Sequence, residues 1–152
     1  MTIAVQLETS IGRSPATVFA ELIAVERFPE WLIASGIVRV ERLDEGPLTV
    51  GARLRIGQSV AGRSTTLDGS VTVLEPDAAF GLRGRDPDGV TIELDAQLSS
   101  DDALTTRLRW SLRMGLPLRY RMFESMVAPQ AKRAATLDLE AFKRRLESVA
   151  GP

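Results

Sequence analysis

Residues 89–113 read GVTIELDAQLSSDDALTTRLRWSLR, and apolar and polar side chains alternate through them almost without interruption. Side chains of a β-strand point alternately to opposite faces, so this stretch predicts two long strands joined by a turn near residues 100–103. The side chains expected to face inward are Val90, Ile92, Leu94, Ala96, Leu98, Leu104, Thr106, Leu108, Trp110 and Leu112. On the outer face, Glu93 and Asp95 are expected opposite Arg107, Arg109 or Ser111, where opposite charges on facing strands attract. The hairpin therefore has one wet face and one dry, nearly uncharged face.

The composition is that of an ordinary globular protein. With 152 residues, 44% hydrophobic and 26% charged, the chain is expected to form a single domain over residues 1–152. A net charge of −1 gives no general attraction to nucleic acid, so nucleic acid is not an expected partner. The N-terminal residues lack the basic segment and apolar core of a signal peptide, and no apolar run reaches the length of a membrane span. A cytoplasmic protein without integral membrane association is the expectation.

The sequence has no cysteine and no histidine. Disulfides, thiolate nucleophiles, histidine bases and the usual transition-metal sites are thereby excluded. Glycine-rich phosphate loops are missing as well. We expect no metal and no cofactor, and any chemistry is left to carboxylates, hydroxyls, lysines or Tyr120.

The start of the chain predicts a strand followed by two short helices. The first residues alternate between apolar and polar types, and Ser14 followed by Pro15 is typical of a helix start. Serine caps free N–H groups, and proline is tolerated in the first turn. Pro29 is expected to separate this helix from a second one, which carries Trp31 into the core and is closed by Gly36.

The middle of the chain predicts four more strands with short connections. They cover residues 37–44, 53–58, 65–73 and 80–83. In the third of them, strict alternation places Val73 on the same face as Leu67. Consecutive strands with short turns form an antiparallel meander, which needs its dry face covered.

The C-terminal segment predicts a long amphipathic helix. Its apolar stripe comprises Ala131, Ala135, Leu139, Phe142, Leu146 and Val149. Residues 118–128 are expected to be irregular, and Pro129 is expected to kink or divide the helix. The complete order predicts an α+β fold, in which a curved antiparallel seven-stranded sheet wraps around this helix and leaves a space beneath it.

Several segments together resemble the START/Bet v 1-like (SRPBCC) superfamily, in particular its polyketide cyclase/dehydrase branch. They are Ser14–Phe19, Phe28–Trp31, Val50–Arg53, Leu74–Pro76 and Leu139–Glu147. The resemblance spans essentially the whole chain. It implies a helix-grip fold with an internal cavity that holds a lipid, a sterol, a polyketide or another small apolar molecule.

Strand parity selects the candidate ligand-binding residues inside the sheet. They are the polar Gln58, Thr65 and Thr106 and, on the apolar wall, Leu94, Leu108 and Trp110. An apolar pocket takes its affinity from buried area and its selectivity from a few polar groups. The alternative for each polar residue is a hydrogen bond to nearby backbone, and for Trp110 a place in the packed core.

A second group of candidates lies where the cavity lid is expected. It consists of Tyr120, Met122, Phe123 and Met126. Tyr120, the only tyrosine, could hydrogen-bond or protonate a ligand carbonyl and is the candidate catalytic residue; an interfacial position explains it equally well. The methionines suit a ligand of variable outline, a plain core or a homodimer contact. A strip of arginines between residues 107 and 121 belongs to a solvated face, or it recognises an anionic headgroup, a carboxylate or a membrane surface.

Three hypotheses for the function remain. The first, which we favour, is binding or transport of a small hydrophobic molecule in an uncharged cavity. The second is a polyketide cyclase or aromatase that uses the same cavity, where holding reactive carbons close together supplies part of the catalysis. The third is a protein-interaction module whose surface is the methionine-rich lid.

Overall fold

The computed structural model describes residues 2–148. Along this range lie β1 (Thr2–Ile11), α1 (Pro15–Leu22), a first 3-10 helix (Val25–Glu30), β2 (Ile37–Arg42), β3 (Arg53–Val60), β4 (Arg63–Glu75), β5 (Ala79–Arg85), β6 (Thr91–Asp102), β7 (Thr105–Gly115), a second 3-10 helix (Leu118–Phe123) and α2 (Glu124–Ser148). The predicted apolar stripe of the last helix is described up to Leu146; Val149 lies outside the described residues.

All seven strands form one antiparallel sheet in the order β1-β7-β6-β5-β4-β3-β2. Strands β2 to β7 follow each other as a meander, and β1 pairs with β7 at the far edge. The inner face of the curved sheet packs against α1, the first 3-10 helix and α2. The predicted seven-stranded helix-grip arrangement is confirmed.

The β6–β7 hairpin has the predicted inner face, with Ala96 and Trp110 at 1% and 4% exposure. The turn is shorter than expected. Strand β6 continues to Asp102 with a bulge after Ser100, so only Ala103 and Leu104 form the turn. The prediction that Leu104 faces inward is wrong, because it sits at the tip of the turn and is 73% exposed.

Asp95 lies opposite Ser111, as predicted, but Glu93 lies opposite Arg113. Ion pairs cover the outer face of the hairpin, with partners other than the predicted ones. Arg107 and Arg109 both contact Glu8 on β1, at 3.1 and 3.5 Å, rather than Glu93 or Asp95 on β6. Glu93 pairs instead with Arg83 on β5, at 3.6 Å. Arg107 also lies 3.5 Å from Asp101 on β6, so one ion pair does cross the hairpin, between residues other than the predicted ones. The remaining pairs join the hairpin to β1 and β5, which flank it.

A bulge in β4 changes which of its residues faces the core. The register to β5 shifts between Val71 and Val73, and Leu74, opposite Phe80, packs against the core. The prediction that Val73 faces inward is wrong. An extra residue in one strand reverses the parity of everything after it, which alternation alone does not reveal.

The two helical segments after β1 are only partly as predicted. The Ser14 hydroxyl caps α1 by accepting a hydrogen bond from the Thr17 N–H at 3.3 Å, and Pro15 occupies the first turn. Pro29 does not separate two helices, because it lies inside the 3-10 helix that follows α1. Trp31 follows this helix and is buried in the core, as expected.

The C-terminal helix is more continuous than expected. Only Leu118–Phe123 is irregular, as a 3-10 helix, and α2 then runs unbroken through Pro129. The prediction that Pro129 divides the helix is wrong. The carbonyl that loses its hydrogen bond belongs to Ser125, an exposed residue at which water can replace the missing N–H.

Polar contacts fasten the second half of α2 to the rest of the molecule. Arg145 Nε lies 2.8 Å from a Glu21 carboxylate oxygen on α1, and the Gly12 N–H donates to Glu147 Oε2 at 2.8 Å. Asp138 accepts hydrogen bonds from the loop before β2. Among the described residues, the polar ties of α2 to other elements begin at Asp138, so its first half is held by apolar packing.

Gly36 is expected to be a position that tolerates no side chain. Its φ is +75°, and a Cβ there would overlap the carbonyl oxygen of Ser59. Gly62 has a similar φ of +78°, but a Cβ there meets nothing within 4 Å. We expect Gly62→Ala to lower the free energy of unfolding by about 1 kcal/mol, the conformational cost, and Gly36→Ala by about 1 kcal/mol more. Urea denaturation of both variants measures the difference; equal losses would show that the loop yields to the added methyl group.

Candidate ligand-binding cavity

A cavity of about 330 Å³, partly open to solvent, lies between the inner face of the sheet and the first half of α2. Its walls come from the loop before β2, from strands β2 to β7 and from α2. The lining residues are Phe28, Leu32, Ala34, Ser35, Ile37, Ile56, Gln58, Val60, Leu67, Leu82, Arg83, Gly84, Ile92, Leu94, Trp110, Leu112, Met114, Val127, Gln130, Ala131, Ala134, Ala135 and Asp138. The volume falls within the range of small-molecule sites, roughly 300–1,000 Å³.

The hollow exists because α2 presents small side chains to the sheet. Ala131, Ala134 and Ala135 line the cavity on the helix side, where larger residues would reach the opposite wall. Further along the same helix, Leu139 and Phe142 close the space and are 5% and 0% exposed. The sheet and helix are therefore in contact at one end and separated at the other.

The open end of the cavity can be located from the exposure of its lining residues. Apart from Arg83, whose side chain pairs with Glu93 on the outer face of the sheet, the exposed lining residues are Ala34, Val60 and Gln130. They belong to the loop before β2, to the end of β3 and to the first half of α2. A ligand would enter between these three elements, which we call the mouth.

The cavity wall contains one buried carboxylate, Asp138, which is only 2% exposed. Its two oxygens accept hydrogen bonds from the backbone N–H groups of Ala34, at 2.7 Å, and Ser35, at 3.0 Å. No cation pairs with it among residues 2–148. The expectation of an uncharged cavity is thus wrong.

Burial raises the pKa of the Asp138 carboxyl above its usual value, because the charged form is poorly solvated there. The hydrogen bonds from Ala34 and Ser35 stabilise the carboxylate and offset part of this effect. A carboxyl whose pKa lies above the usual range can accept and return a proton closer to neutral pH than an exposed aspartate.

Gln58 lies beside the same loop. Its Nε2 donates a hydrogen bond to the Ser35 carbonyl oxygen at 2.9 Å. Asp138 and Gln58 therefore both hold the loop, one through its N–H groups and one through a carbonyl. The amide oxygen of Gln58 and the remaining lone pairs of Asp138 are left for a ligand.

Three of the residues that the sequence selects for the site line the cavity. They are Gln58, Leu94 and Trp110. The alternation along each strand correctly predicts that these residues face inward. Trp110 also contacts Trp31, with ring centroids 5.7 Å apart. Their role in ligand binding stays a prediction.

The other candidates inside the sheet do not line the cavity. Thr106 is fully buried and donates a hydrogen bond to the Arg13 carbonyl oxygen at 2.7 Å. Leu108 is also fully buried, within the packed core. Thr65 lies opposite Gln58 in the β3–β4 register and is only half-buried. Thr106 therefore makes the hydrogen bond to nearby backbone that was the alternative to ligand binding.

The lid candidates lie outside the cavity lining. Met122, Met126 and Phe123 are 79%, 61% and 45% exposed. Tyr120 is half-buried in the second 3-10 helix, with the guanidinium of Arg119 over its ring at 4.9 Å. These residues are close together in the sequence and lie beside the mouth, not inside the cavity.

Asp138 is the main residue that sequence reasoning missed. The apolar stripe passes through Ala135 and Phe142, and Asp138 lies three residues after the one and four before the other. Residues three and four apart share a helix face, so its inward position could have been inferred from spacing. Its polar type argued against burial, and its partners are backbone groups more than a hundred positions away in the sequence.

The described part of the chain offers no group of three or more carboxylate side chains arranged to hold a metal ion. Within residues 2–148, no helix combines the length and the apolar character needed to cross a membrane.

Comparison with known proteins adds a family to this geometry. A family model described as polyketide cyclase / dehydrase and lipid transport matches residues 2–147. None of the curated proteins matches the sequence significantly.

Solved structures share the architecture at low sequence identity. An aromatase/cyclase named Zhui from Streptomyces sp. R1128 superimposes with a TM-score of 0.78 at 18% identity, over 97% of this chain and 94% of that one. A START superfamily protein from Mycobacterium smegmatis gives a TM-score of 0.77 at 16% identity, over 97% and 99% of the two chains. A protein from Thermus thermophilus gives a TM-score of 0.76 at 14% identity, over 97% and 99% of the two chains. At these identities the similarity establishes the fold.

Proposed function

The chain belongs to the polyketide cyclase / dehydrase and lipid transport family, and from this premise we propose that it binds a small, mostly apolar molecule in the cavity beneath α2. The observation that carries the proposal is the cavity itself, about 330 Å³ in volume, with a wall made largely of aliphatic and aromatic side chains. Burial of apolar surface in such an enclosure supplies the affinity.

The polar groups of the wall restrict the ligand further. The Asp138 carboxylate accepts hydrogen bonds and carries negative charge when ionised, so it favours a ligand hydroxyl and disfavours a ligand carboxylate nearby. Gln58 and Gln130 add amide groups on the sheet and helix sides. We propose a ligand with an apolar body and at least one hydroxyl group.

Filling the cavity is expected to weaken this binding. Ala134→Phe places a ring in the space beneath α2, and we expect a fluorescent apolar probe to bind at least about tenfold more weakly, since the ring takes the volume that the probe needs. The matched control is Ala20→Phe, which adds the same ring at an exposed position on α1. Fluorescence titration of the three proteins gives the affinities. Equal affinity of Ala134→Phe and wild type would place the probe outside the cavity.

Native mass spectrometry of gently purified protein is the direct test of the ligand class. A retained mass that disappears in Ala134→Phe and persists in Ala20→Phe would identify a cavity ligand. A bare protein mass in all three, combined with no probe binding, would contradict the proposal.

A cyclase or dehydrase activity is the second candidate, and Asp138 is the observation that favours it. A buried carboxyl with a raised pKa can remove a proton from a carbon between two carbonyls and later protonate a departing hydroxyl group. The narrow cavity would hold the two reacting carbons close together. Turnover of a poly-β-keto substrate tests this. Loss of turnover in Asp138→Asn would assign the proton transfer to the cavity, and loss in Tyr120→Phe would assign it to the mouth.

A further inference from the structure

Four large apolar side chains are exposed within nine consecutive residues at the junction of the second 3-10 helix and α2. They are Leu118, Met122, Phe123 and Met126, at 80%, 79%, 45% and 61% exposure, and we call them the apolar patch. Single exposed apolar residues are common on protein surfaces, but a cluster of them indicates a surface that binds another protein, a ligand or a membrane.

The apolar patch borders the mouth of the cavity. Met126 precedes Gln130 by four residues on α2, and Gln130 lines the cavity at an exposed position. Phe123 precedes Val127, another lining residue, by the same interval. Side chains four apart are neighbours on a helix face, so the surface of the patch continues into the cavity.

The surroundings of the apolar patch are basic. Between Leu118 and Arg133 the sequence has four cations and one carboxylate, Glu124, whereas the whole chain carries a net charge of −1. Arg121 is exposed and has no ion pair with another described residue. Nearby, Arg63 and Arg119 share a single carboxylate, Asp88, at 2.8 and 3.9 Å. The segment around the apolar patch is therefore net positive in a chain whose net charge is negative.

We propose that the apolar patch docks on an anionic lipid surface, with its side chains among the acyl chains and the surrounding arginines at the headgroup phosphates. An apolar face flanked by cations is the pattern of a segment that lies in a membrane interface. A second copy of the chain fits less well. In a two-fold dimer the same surface meets itself, which would bring together two sets of cations that outnumber the carboxylates around them. This inference goes beyond ligand binding and does not depend on it.

Vesicle flotation with the full chain tests the proposal. We expect the protein to float with vesicles of phosphatidylcholine and phosphatidylglycerol, and to float at least about tenfold less with phosphatidylcholine alone or in high salt. The double variant Met122→Asp/Met126→Asp should bind the anionic vesicles at least about tenfold more weakly. Leu104→Asp is the matched control, because Leu104 is 73% exposed and precedes β7, whereas the apolar patch follows β7. An extended strand of this length separates its two ends by about 34 Å.

Several results would overturn the proposal. They are equal flotation of the double variant and wild type, a loss of the same size in Leu104→Asp, or no binding to anionic vesicles. A dimer in analytical ultracentrifugation that the double variant dissociates would assign the patch to a subunit interface instead. Binding of the apolar probe in solution separates this inference from the proposed function, since the double variant leaves the cavity walls unchanged.

Discussion

Replacing Trp31 with alanine is expected to lower the free energy of unfolding by about 3–5 kcal/mol. Trp31 is 1% exposed, and its ring contacts those of Phe28, Trp110 and Phe142, with centroids 5.6, 5.7 and 4.5 Å away. The cluster joins the first 3-10 helix, β7 and α2, so its loss leaves a large void where three elements meet. Because α2 is the wall of the cavity, probe binding should weaken as well.

The conservative variant separates packing from hydrogen bonding. Among the described residues, none accepts a hydrogen bond from the buried Trp31 Nε1. Trp31→Phe therefore removes an unsatisfied donor and keeps most of the aromatic contact, and we expect it to cost less than half as much as Trp31→Ala. Urea denaturation followed by far-ultraviolet circular dichroism measures both variants without relying on tryptophan fluorescence. If Trp31→Phe costs as much as alanine, the indole N–H has a partner that stabilises the fold.

The sheet could be predicted because alternation is a local property of the sequence. In β6 and β7, each inward residue from Leu94 to Leu98 and from Thr106 to Trp110 is buried as its parity requires. Prediction failed where one residue interrupts the period, at the β4 bulge near Val73 and at the tip of the hairpin at Leu104. Bulges and tight turns depend on the neighbouring strand as well as on the strand itself.

The helices could be predicted less well, because proline was given too much weight. Pro29 lies within a 3-10 helix and Pro129 within α2, where the carbonyl of Ser125 that it leaves unpaired belongs to an exposed residue. The cost of a proline depends on whether water can reach such a carbonyl. Whether water reaches that carbonyl depends on the tertiary structure, which the local sequence does not show.

Strand alternation predicted part of the cavity lining, and the remainder of the lining depends on distances between elements. Gln58, Leu94 and Trp110 line the cavity as parity suggests. Thr106 and Leu108 also face inward, but they lie where the sheet packs directly against the helices, and both are fully buried. The space appears only where the alanines of α2 face large strand residues, which is a relation between two distant segments.

Replacing Asp138 with alanine is expected to lower the free energy of unfolding by about 2–4 kcal/mol at neutral pH. The substitution leaves the N–H groups of Ala34 and Ser35 without the carboxylate that now accepts from them. The same loop is held by Gln58, which donates to the Ser35 carbonyl, so this one side-chain hydrogen bond would remain. Asp138→Asn keeps one acceptor oxygen and should cost less. Denaturation of the two variants checks the order, and equal losses would show that one hydrogen bond contributes nothing.

The pH dependence of stability gives an independent readout of Asp138. Burial raises the pKa of its carboxyl in the folded protein above the value of about 4 that it has in the unfolded chain. The folded state thus binds a proton that the unfolded state has released, and the stability from this group is complete below about pH 4 and is lost as the pH rises through the folded pKa. Asp138→Asn cannot titrate, so the stability difference between wild type and this variant should shrink as pH rises through that window. Parallel curves for the two proteins would mean that the carboxyl titrates as an ordinary surface aspartate, and the proton-transfer role considered for it in the cavity would lose its basis.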